Sequence, residues 1–338
     1  MKKSIKKILA IALFTTALVL TGCKDSGALL PNISGGAYEV LIVMDNDDWK
    51  KEGGRAVFDL FDYSAPQLPQ SEPMFKISRV EHQAFSDLLH PARNIFMVKV
   101  GDEYTTTKMK FANSHWAKYQ ALAMVTSPCS DSLKVFIDAH REAITEYFVD
   151  AEMRRQQRYF RSSQNAEALQ VAKDSFNLDL IIPSFLKLSK SGKDFYWISN
   201  GNLDVRQDIV IYAVPYTDMA QWELPSLLDT RDSIMRVNLP GAKKGSWMGI
   251  EREVLPPTLD TISQDGKFCC CVRGLWKMMD GDIMGGPFVS HTILDEENQR
   301  LITIEGFVFA PSREKRNLMR QLEAVVRSAN ISEKTTEK

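Results

Sequence analysis

The sequence predicts an α+β protein in which largely antiparallel sheets carry helices packed on one face. Short apolar runs bounded by Gly, Pro and Asn recur along the chain, and such runs are typical of strands. Two longer stretches place apolar residues at helical spacing, which indicates amphipathic helices. The composition is that of a globular protein, since 44% of the 338 residues are hydrophobic and 25% are charged.

Apolar runs predict the elements of the first half. A buried strand at residues 38–44 (YEVLIVM) precedes a helix at residues 49–61. Two further strands and a longer β region with a hairpin near Asn113-Ser114 follow, at Met74–Val80, Ile95–Val100 and Thr105–Thr126. The Ser127-Pro128 pair then ends the β region, because proline disfavours continuation of a strand.

The strongest helical pattern runs from Asp131 to about Phe160. Its apolar residues, including Leu133, Ile137, Ile144 and Phe148, fall on one face. His140 lies among these positions or at their edge, and we interpret it as a structural histidine. Four arginines gather towards the end of the helix, where a solvated basic face is favoured by the helix dipole: Arg154, Arg155, Arg158 and Arg161.

The second half is predicted to be richer in strands. Two helices are expected, a moderate one at residues 222–238 and a final one at about Ser312–Ser328. Residues 240–266 are rich in loop-forming pairs such as Pro256-Pro257. The predicted strands are Leu178–Leu188, Phe195–Ser199, Asp208–Pro215, Phe268–Met278, Phe288–Leu294 and Arg300–Phe309.

Five segments are predicted along the chain. They are a leader (1–22), a tether (23–36), two α+β halves (37–175 and 176–330) and a disordered tail (331–338). Similar series of elements begin at Tyr38 and Asp208, which raises the hypothesis of an internal β-α-β-β-β-α duplication. Whether the halves share one continuous sheet or form two domains stays open at this stage.

Net charge argues against a nucleic-acid partner. Lysine and arginine number 42 against 43 aspartate and glutamate residues, which gives a formal charge of −1. Proteins that bind nucleic acid usually carry a basic excess. We therefore expect no nucleic-acid partner.

The first 23 residues resemble a bacterial lipoprotein signal. Four lysines, the last of them Lys7, precede an uncharged apolar run from Ile8 to Leu20, too short for a comfortable membrane span. Leu20-Thr21-Gly22-Cys23 then matches the pattern of a bulky residue and two small residues before a cysteine. The resemblance implies cleavage before Cys23 and its acylation, palmitate included. We therefore expect a lipid-anchored protein of the cell envelope, on the outer membrane, with its face undecided.

The remaining cysteines give no disulfide scaffold. Cys269, Cys270 and Cys271 lie in a strand-like run, so the first and third should face one way and the second the other. We favour the interpretation that they are small buried hydrophobes. A disulfide from Cys129 to this run and a metal site remain alternatives, although ligand spacing typical of zinc is lacking.

No strong catalytic motif appears in the sequence. The five histidines are scattered: His82, His90, His115, His140 and His291. Three aspartates, Asp45, Asp47 and Asp48, lack the glycine and glutamate that a calcium loop needs further along. Capping of the next helix by Asp47 or Asp48 explains them better. No cofactor or metal is predicted.

The most distinctive stretch joins Arg273-Gly274-Leu275-Trp276 to residues 280–288 (DGDIMGGPF). Its glycines permit close backbone approach, and its methionines and aromatics offer adaptable apolar surface. It is interpreted either as a binding loop or as a wide turn over the sheet edge. The candidate binding residues are Trp276, Met284, Gly285, Gly286 and Phe288.

These strings resemble an uncharacterised Bacteroidota lipoprotein family known as domain of unknown function 4837. The resemblance also rests on Trp116-Ala117-Lys118, on residues 305–311 (EGFVFAP) and on residues 315–323, and spans about residues 36–330. It implies an outer-envelope lipoprotein, and it supplies no catalytic residues.

The sequence favours a non-catalytic binding or interaction module held to the membrane by Cys23. Its partner would be an envelope protein, a peptide or a glycan. The alternative is an envelope hydrolase with an unfamiliar site near the glycine-rich loop, at residues 280–291, using Asp280, Asp282 or His291.

Overall fold

A computed structural model describes residues 30–332 and shows the expected α+β class. The leader, Cys23, residues 24–29 of the tether and residues 333–338 of the tail lie outside the described residues. Two main sheets are present in the described chain, one of five strands and one of eight.

The first sheet is mainly parallel. Its strand order is β2-β1-β3-β5-β4, and only β4 runs antiparallel to its neighbour. The interior strand β1 is apolar along most of its length because both its faces are covered. The five strands are β1 (Glu39–Val43), β2 (Lys76–Val80), β3 (Asn94–Val100), β4 (Lys108–Asn113) and β5 (Ala121–Ser127).

Helices cover one face of the first sheet. Here a cluster of aromatic rings, Phe61, Phe75, Phe96 and Phe148, packs mostly edge to face with centroids 5.4–6.4 Å apart. Loop residues such as Phe85 pack against the opposite face. The helices of this half are α1 (Asn46–Trp49), α2 (Glu52–Asp62), α3 (Ser130–Ala139) and α4 (Arg141–Arg161).

The predicted helix from Asp131 to Phe160 is in fact two helices. His140 separates α3 from α4 with φ −118° and ψ 15°, outside helical values. Its ring is exposed and stacks on Phe136 at 4.1 Å, so of the two expected placements it lies outside the inward positions rather than among them.

The capping predicted for Asp47 or Asp48 was also wrong. Both residues lie inside α1, where Asp48 pairs with Lys51 at 2.9 Å. Asp45 precedes α1, and its carboxylate accepts the backbone N–H of His82.

A helix that the sequence analysis missed links the halves. This helix, α5 (Ala166–Phe176), begins where Asn165 Oδ1 accepts the N–H of Ala168 and ends at Asn177 with φ 56°. Leu178–Leu188 is not a strand. Its first two residues pair as β6 (Leu178–Asp179), and its last residue, Leu188, pairs with Ser199. Between them, Ile182 and Leu186 are buried in an irregular segment in which Pro183 makes only an isolated bridge.

The second sheet is antiparallel throughout. Its strand order is β10-β12-β13-β14-β9-β8-β7, and β11 also pairs with β12. The region predicted to be loop-rich contains β10 and β11. The strands are β7 (Leu188–Gly192), β8 (Phe195–Ser199), β9 (Arg206–Pro215), β10 (Trp247–Glu251), β11 (Thr258–Gln264), β12 (Lys267–Met279), β13 (Gly285–Asp295) and β14 (Arg300–Phe309).

The second sheet carries helices on both faces rather than on one. Helix α6 (Leu224–Asn238) packs on one face, and α7 (Arg316–Val326) packs on the other with α5. A short strand, β15 (Asn330–Ile331), follows α7 and pairs with β6. The two halves therefore differ in strand direction and order, and the duplication hypothesis is wrong.

The cysteine triplet lies as the sequence predicts. Cys269 and Cys271 belong to the apolar cluster beneath α7, and Cys270 belongs to the cluster beneath α6. All three are buried free thiols, and Cys129 is an exposed free thiol.

Candidate functional site

A cavity of about 250 Å³ opens on the α6 face of the second sheet, near the β12–β13 hairpin. We call it the Trp276 pocket. Aromatic, methionine and other apolar residues form most of its wall, with three polar side chains beside them. Its lining consists of Trp197, Trp276, Phe307, Phe309, Met248, Met278, Met284, Leu239, Pro240, Lys190, Arg206 and Asn238.

Strand alternation explains how these residues converge. Residues two apart point to one face, so β14 contributes Phe307 and Phe309 while β12 contributes Trp276 and Met278. The Trp276 ring contacts both phenylalanine rings, at centroid distances of 5.8 and 6.3 Å. The pocket floor is therefore built from side chains that the sheet itself positions.

Close backbone packing fixes the Trp276 indole. Its Nε1–H donates to the carbonyl of Val308 at 3.1 Å. Gly286 is paired opposite Trp276, and a Cβ there would lie 1.9 Å from the same carbonyl. Gly286 is thus needed for this approach rather than for contact with a ligand. A Cβ at Gly285 would lie 2.7 Å from the Trp276 carbonyl oxygen.

Met284 closes the outer side of the pocket. It lies in the hairpin after β12 and is half-buried. Its backbone carbonyl accepts a hydrogen bond from the backbone N–H of Met278 at 2.9 Å. Methionine side chains are flexible and polarisable, so this wall can adapt to differently shaped apolar groups.

Two cations lie at the pocket. Arg206 stacks on Trp197 at 5.2 Å and pairs with Asp208 at 3.1 Å. Asp208 also accepts the indole N–H of Trp197 at 2.9 Å, and burial raises the pKa of its carboxyl. Lys190 Nζ donates to the carbonyl of Asn238 at 3.3 Å. Because two cationic side chains lie here beside one carboxylate, this end of the pocket carries a net positive charge.

The sequence-predicted binding residues separate into two groups. Trp276 and Met284 line the pocket. Phe288 is fully buried beside it, and the guanidinium of Arg231 lies 4.3 Å from its ring centroid. Arg231 also makes two hydrogen bonds to Glu305, at 2.7 and 2.8 Å, which tie α6 to β14.

The residues suggested for hydrolysis are not brought together. Asp280 and Asp282 are exposed in the hairpin. His291 lies on the opposite face of β13, seven residues beyond Met284, or roughly 20 Å along a strand. Its ring is fully buried against Gln264, and burial lowers the pKa of its imidazole to about 3.

Residues 30–332 contain neither a metal-binding cluster nor a membrane-spanning helix. In this range, no group of three or more His, Cys, Asp or Glu side chains is arranged to hold a metal ion. No helix there combines the length and apolar character needed to cross a bilayer.

Sequence reasoning missed several pocket residues, including Trp197, Met248 and Arg206. The one available signal was the alternation Phe307-Val308-Phe309, which places two aromatics on one face. Their convergence with β8 and β12 depends on the strand order of the sheet, which local patterns do not encode.

Two family models match the chain, and both are of unknown function. The model described as domain of unknown function (DUF4837) matches residues 163–328. A second, described as domain of unknown function (DUF8532), matches residues 34–161. The DUF4837 match covers a shorter range than residues 36–330, over which the resemblance to this family was expected. Trp116-Ala117-Lys118 falls within the range matched by the DUF8532 model instead. Among curated proteins, none matches this sequence.

Several solved structures show a distant similarity. The Ran-binding protein Mog1p of Saccharomyces cerevisiae has 12% identity and a TM-score of 0.31, covering 46% of this chain and 90% of its own. LpqN, which is involved in cell envelope biogenesis of Mycobacterium tuberculosis, has 13% identity and a TM-score of 0.28, covering 46% and 83%. The cyanobacterial PsbP of Synechocystis sp. PCC 6803 has 12% identity and a TM-score of 0.25, covering 43% and 92%.

Proposed function

Residues 163–328 belong to the family of domains of unknown function DUF4837, and from that premise we propose a lipid-anchored, non-catalytic binding protein of the cell envelope. The second half would bind an apolar ligand in the Trp276 pocket, and Cys23 would hold the protein to the membrane. The ligand that fits the pocket is an apolar chain or ring carrying one acidic group.

The lining of the pocket carries this proposal. Aromatic and methionine walls favour an apolar group, and the volume of about 250 Å³ suits a small ligand or the end of a longer one. Of the described residues that line the pocket, the charged ones are Lys190 and Arg206, so an acidic group is favoured at that end. The lining supplies no carboxylate or imidazole for general acid–base catalysis.

The membrane anchor is supported by the sequence alone. The basic start, the apolar run and Cys23 follow one another in the order that a lipoprotein signal needs. Two or three acyl chains on Cys23 would hold the protein firmly, because each buried methylene contributes about 0.8 kcal/mol.

A titration with dodecanoate tests the pocket, because Trp197 and Trp276 report occupancy through their fluorescence. Saturable binding is expected in the parent protein. Met284→Lys should weaken it at least tenfold, since it places a charge in the apolar wall. Met219→Lys is the matched control, because Met219 is 74% exposed and does not line the pocket.

Absence of saturable dodecanoate binding, or equal loss in both variants, would refute the pocket assignment. The anchor is tested separately by Cys23→Ser, which should move the protein from the membrane fraction to the soluble fraction and abolish palmitate labelling. Retention of either property in this variant would refute the anchor.

A further inference from the structure

A second cavity, of about 320 Å³, lies in the first half between the β4–β5 hairpin and α4. It is distinct from the Trp276 pocket and lies within residues 34–161. The residues that line it include Asn113, Ser114, Tyr119, Arg154, Arg155 and Arg158. Three arginines therefore share one cavity with polar hairpin residues.

Arg155 forms the fixed, buried part of this cavity. Its Nη1–H donates to the carbonyl of Tyr119 and its Nη2–H to Asn94 Oδ1, both at 2.7 Å. The side chain also pairs with Glu152 at 2.8 Å. Its Nε–H is buried and has no hydrogen-bond partner in the described chain. The prediction that all four arginines form a solvated face is therefore wrong for Arg155.

Arg154 and Arg158 are exposed and supply charge that the protein does not neutralise. Neither pairs with a carboxylate among residues 30–332, because Glu152 is shared by Arg93 and Arg155 and Asp150 pairs with Arg327. The two arginines are four residues apart on one helix, where like charges repel. A bound anion would relieve that repulsion.

The hairpin completes the cavity from the other side. The guanidinium of Arg158 lies 4.0 Å from the ring centroid of Tyr119, which restricts its position. Ser114 Oγ accepts the backbone N–H of Tyr119 at 2.9 Å, so its own proton is free to donate. Cationic and neutral donors therefore face one space.

We propose that this cavity binds a phosphate- or sulfate-bearing ligand through Arg154 and Arg158, with Ser114 as a neutral donor. Guanidinium groups match the oxygens of such anions in paired hydrogen bonds. The several oxygens of a phosphate or sulfate group can accept hydrogen bonds from both guanidinium groups and from Ser114 at once, whereas a carboxylate offers only two oxygens. At about 320 Å³ the cavity has room for a further polar group beside the anion, such as the rest of a phosphate ester or of a lipid headgroup.

The test uses the full chain carrying Cys23→Ser, so that no acyl chain inserts into membranes. Inorganic pyrophosphate is titrated calorimetrically, and sedimentation is measured with phosphatidylcholine vesicles with and without phosphatidylglycerol. Arg154→Gln/Arg158→Gln should weaken binding at least tenfold without changing the melting curve. Arg161→Gln is the matched control, because Arg161 is exposed on the same helix and does not line the cavity.

Binding of pyrophosphate that is lost only in the double variant supports the site and indicates a soluble phosphate ester. Binding only to vesicles containing phosphatidylglycerol, with the same dependence on the variants, supports it with a lipid headgroup as the source. Absence of binding to both probes, or an equal loss in Arg161→Gln, overturns the proposal.

Discussion

At the scale of single residues, His291 shows how strand position decides the chemistry of a titratable group. It lies in the middle of β13 on the face covered by α7, and it has no exposed surface. Gln264 Nε2–H donates to the carbonyls of Val326 and Ala329, which turns Gln264 Oε1 towards the His291 ring. The neutral imidazole therefore donates from Nδ1, which makes it a structural rather than a catalytic group.

We predict that this histidine makes the protein less stable in mild acid. Burial lowers the pKa of His291 to about 3 from an ordinary value of 6.5. Between these values the unfolded chain binds a proton that the folded chain does not, so the free energy of unfolding falls as pH decreases. At pH 5 the expected loss is about 2 kcal/mol relative to pH 7.5.

Urea unfolding at the two pH values measures this loss. His291→Gln keeps an N–H donor for Gln264 but cannot titrate, so its loss between pH 7.5 and 5 should be smaller by that amount. His115→Gln, at an exposed position, should behave as the parent does. An unchanged pH dependence in His291→Gln would contradict the prediction.

At the scale of elements, the sequence predicts those whose pattern is local and strong. Strands β12, β13 and β14 are long apolar runs, and the structure places them at the centre of the second sheet. Helix α5 was missed because its buried face includes the small residues Ala168 and Ala172, which give a weak apolar signal.

Other elements, and much of the Trp276 pocket, could not be predicted from local sequence patterns because they depend on tertiary contacts. Residues 178–188 are apolar because they are buried, but Pro183 prevents a regular strand. Strand β11 lies at an edge and is largely exposed, so turn-forming residues around it dominated the prediction. Trp276 and Met284 were predicted from composition alone, whereas Phe307 and Trp197 join them only through the strand order.

The two-sided burial of β12 predicts a pattern of thiol reactivity. A hydrogen bond with Ser132 lowers the pKa of exposed Cys129, which directly precedes α3. Burial raises the pKa of Cys269 to about 12 and that of Cys270 to about 11. In the Cys23→Ser chain, one thiol should react rapidly with Ellman's reagent at pH 8, and four should react in urea.

Cys129→Ser should remove the rapid phase and leave three thiols that react only on unfolding. The count of four in urea also tests the disulfide alternative, since a bond between Cys129 and β12 would leave two thiols. A second rapid thiol in the folded chain would show that β12 is not buried on both faces.

At the scale of the whole molecule, α7 joins the halves. Glu72, from the first half, accepts the backbone N–H groups of Lys315 and Arg316 at 2.6 and 2.9 Å, at the start of the helix. Near its end, Gln157 Nε2–H donates to the carbonyl of Ala324 at 3.0 Å. The predicted division at residue 175 stays a prediction, but these contacts favour unfolding as one unit.

Glu323 adds a buried ionic centre to the same helix. Its carboxylate pairs with Arg273 of β12 and with Arg320 and Arg327, at 2.6–2.9 Å. These arginines hold the pKa of Glu323 well below its usual range. Arg327 also reaches Asp150 of the first half at 3.5 Å. The centre is therefore tied to β12 and to α4 together.

Substitution of Glu72 tests whether the halves are coupled through α7. Glu72 is buried, and Ala at this position would leave two backbone N–H groups of α7 without their carboxylate. We expect Glu72→Ala to lower the free energy of unfolding by about 2 kcal/mol, because hydrogen bonds to a charged group and helix capping each contribute on this order. Glu314→Ala, at an exposed neighbouring position, should change it by less than about 0.5 kcal/mol.

The same unfolding curves report whether the two halves separate. Trp49 and Trp116 lie in the first half, and Trp197 and Trp276 lie in the second, so tryptophan fluorescence follows both halves. In the parent, fluorescence and circular dichroism should give one shared transition, since α7 packs on the second sheet while Glu72 holds its first turn. If the parent unfolds in two steps, or if Glu72→Ala leaves the midpoint unchanged, then α7 belongs to the second half alone.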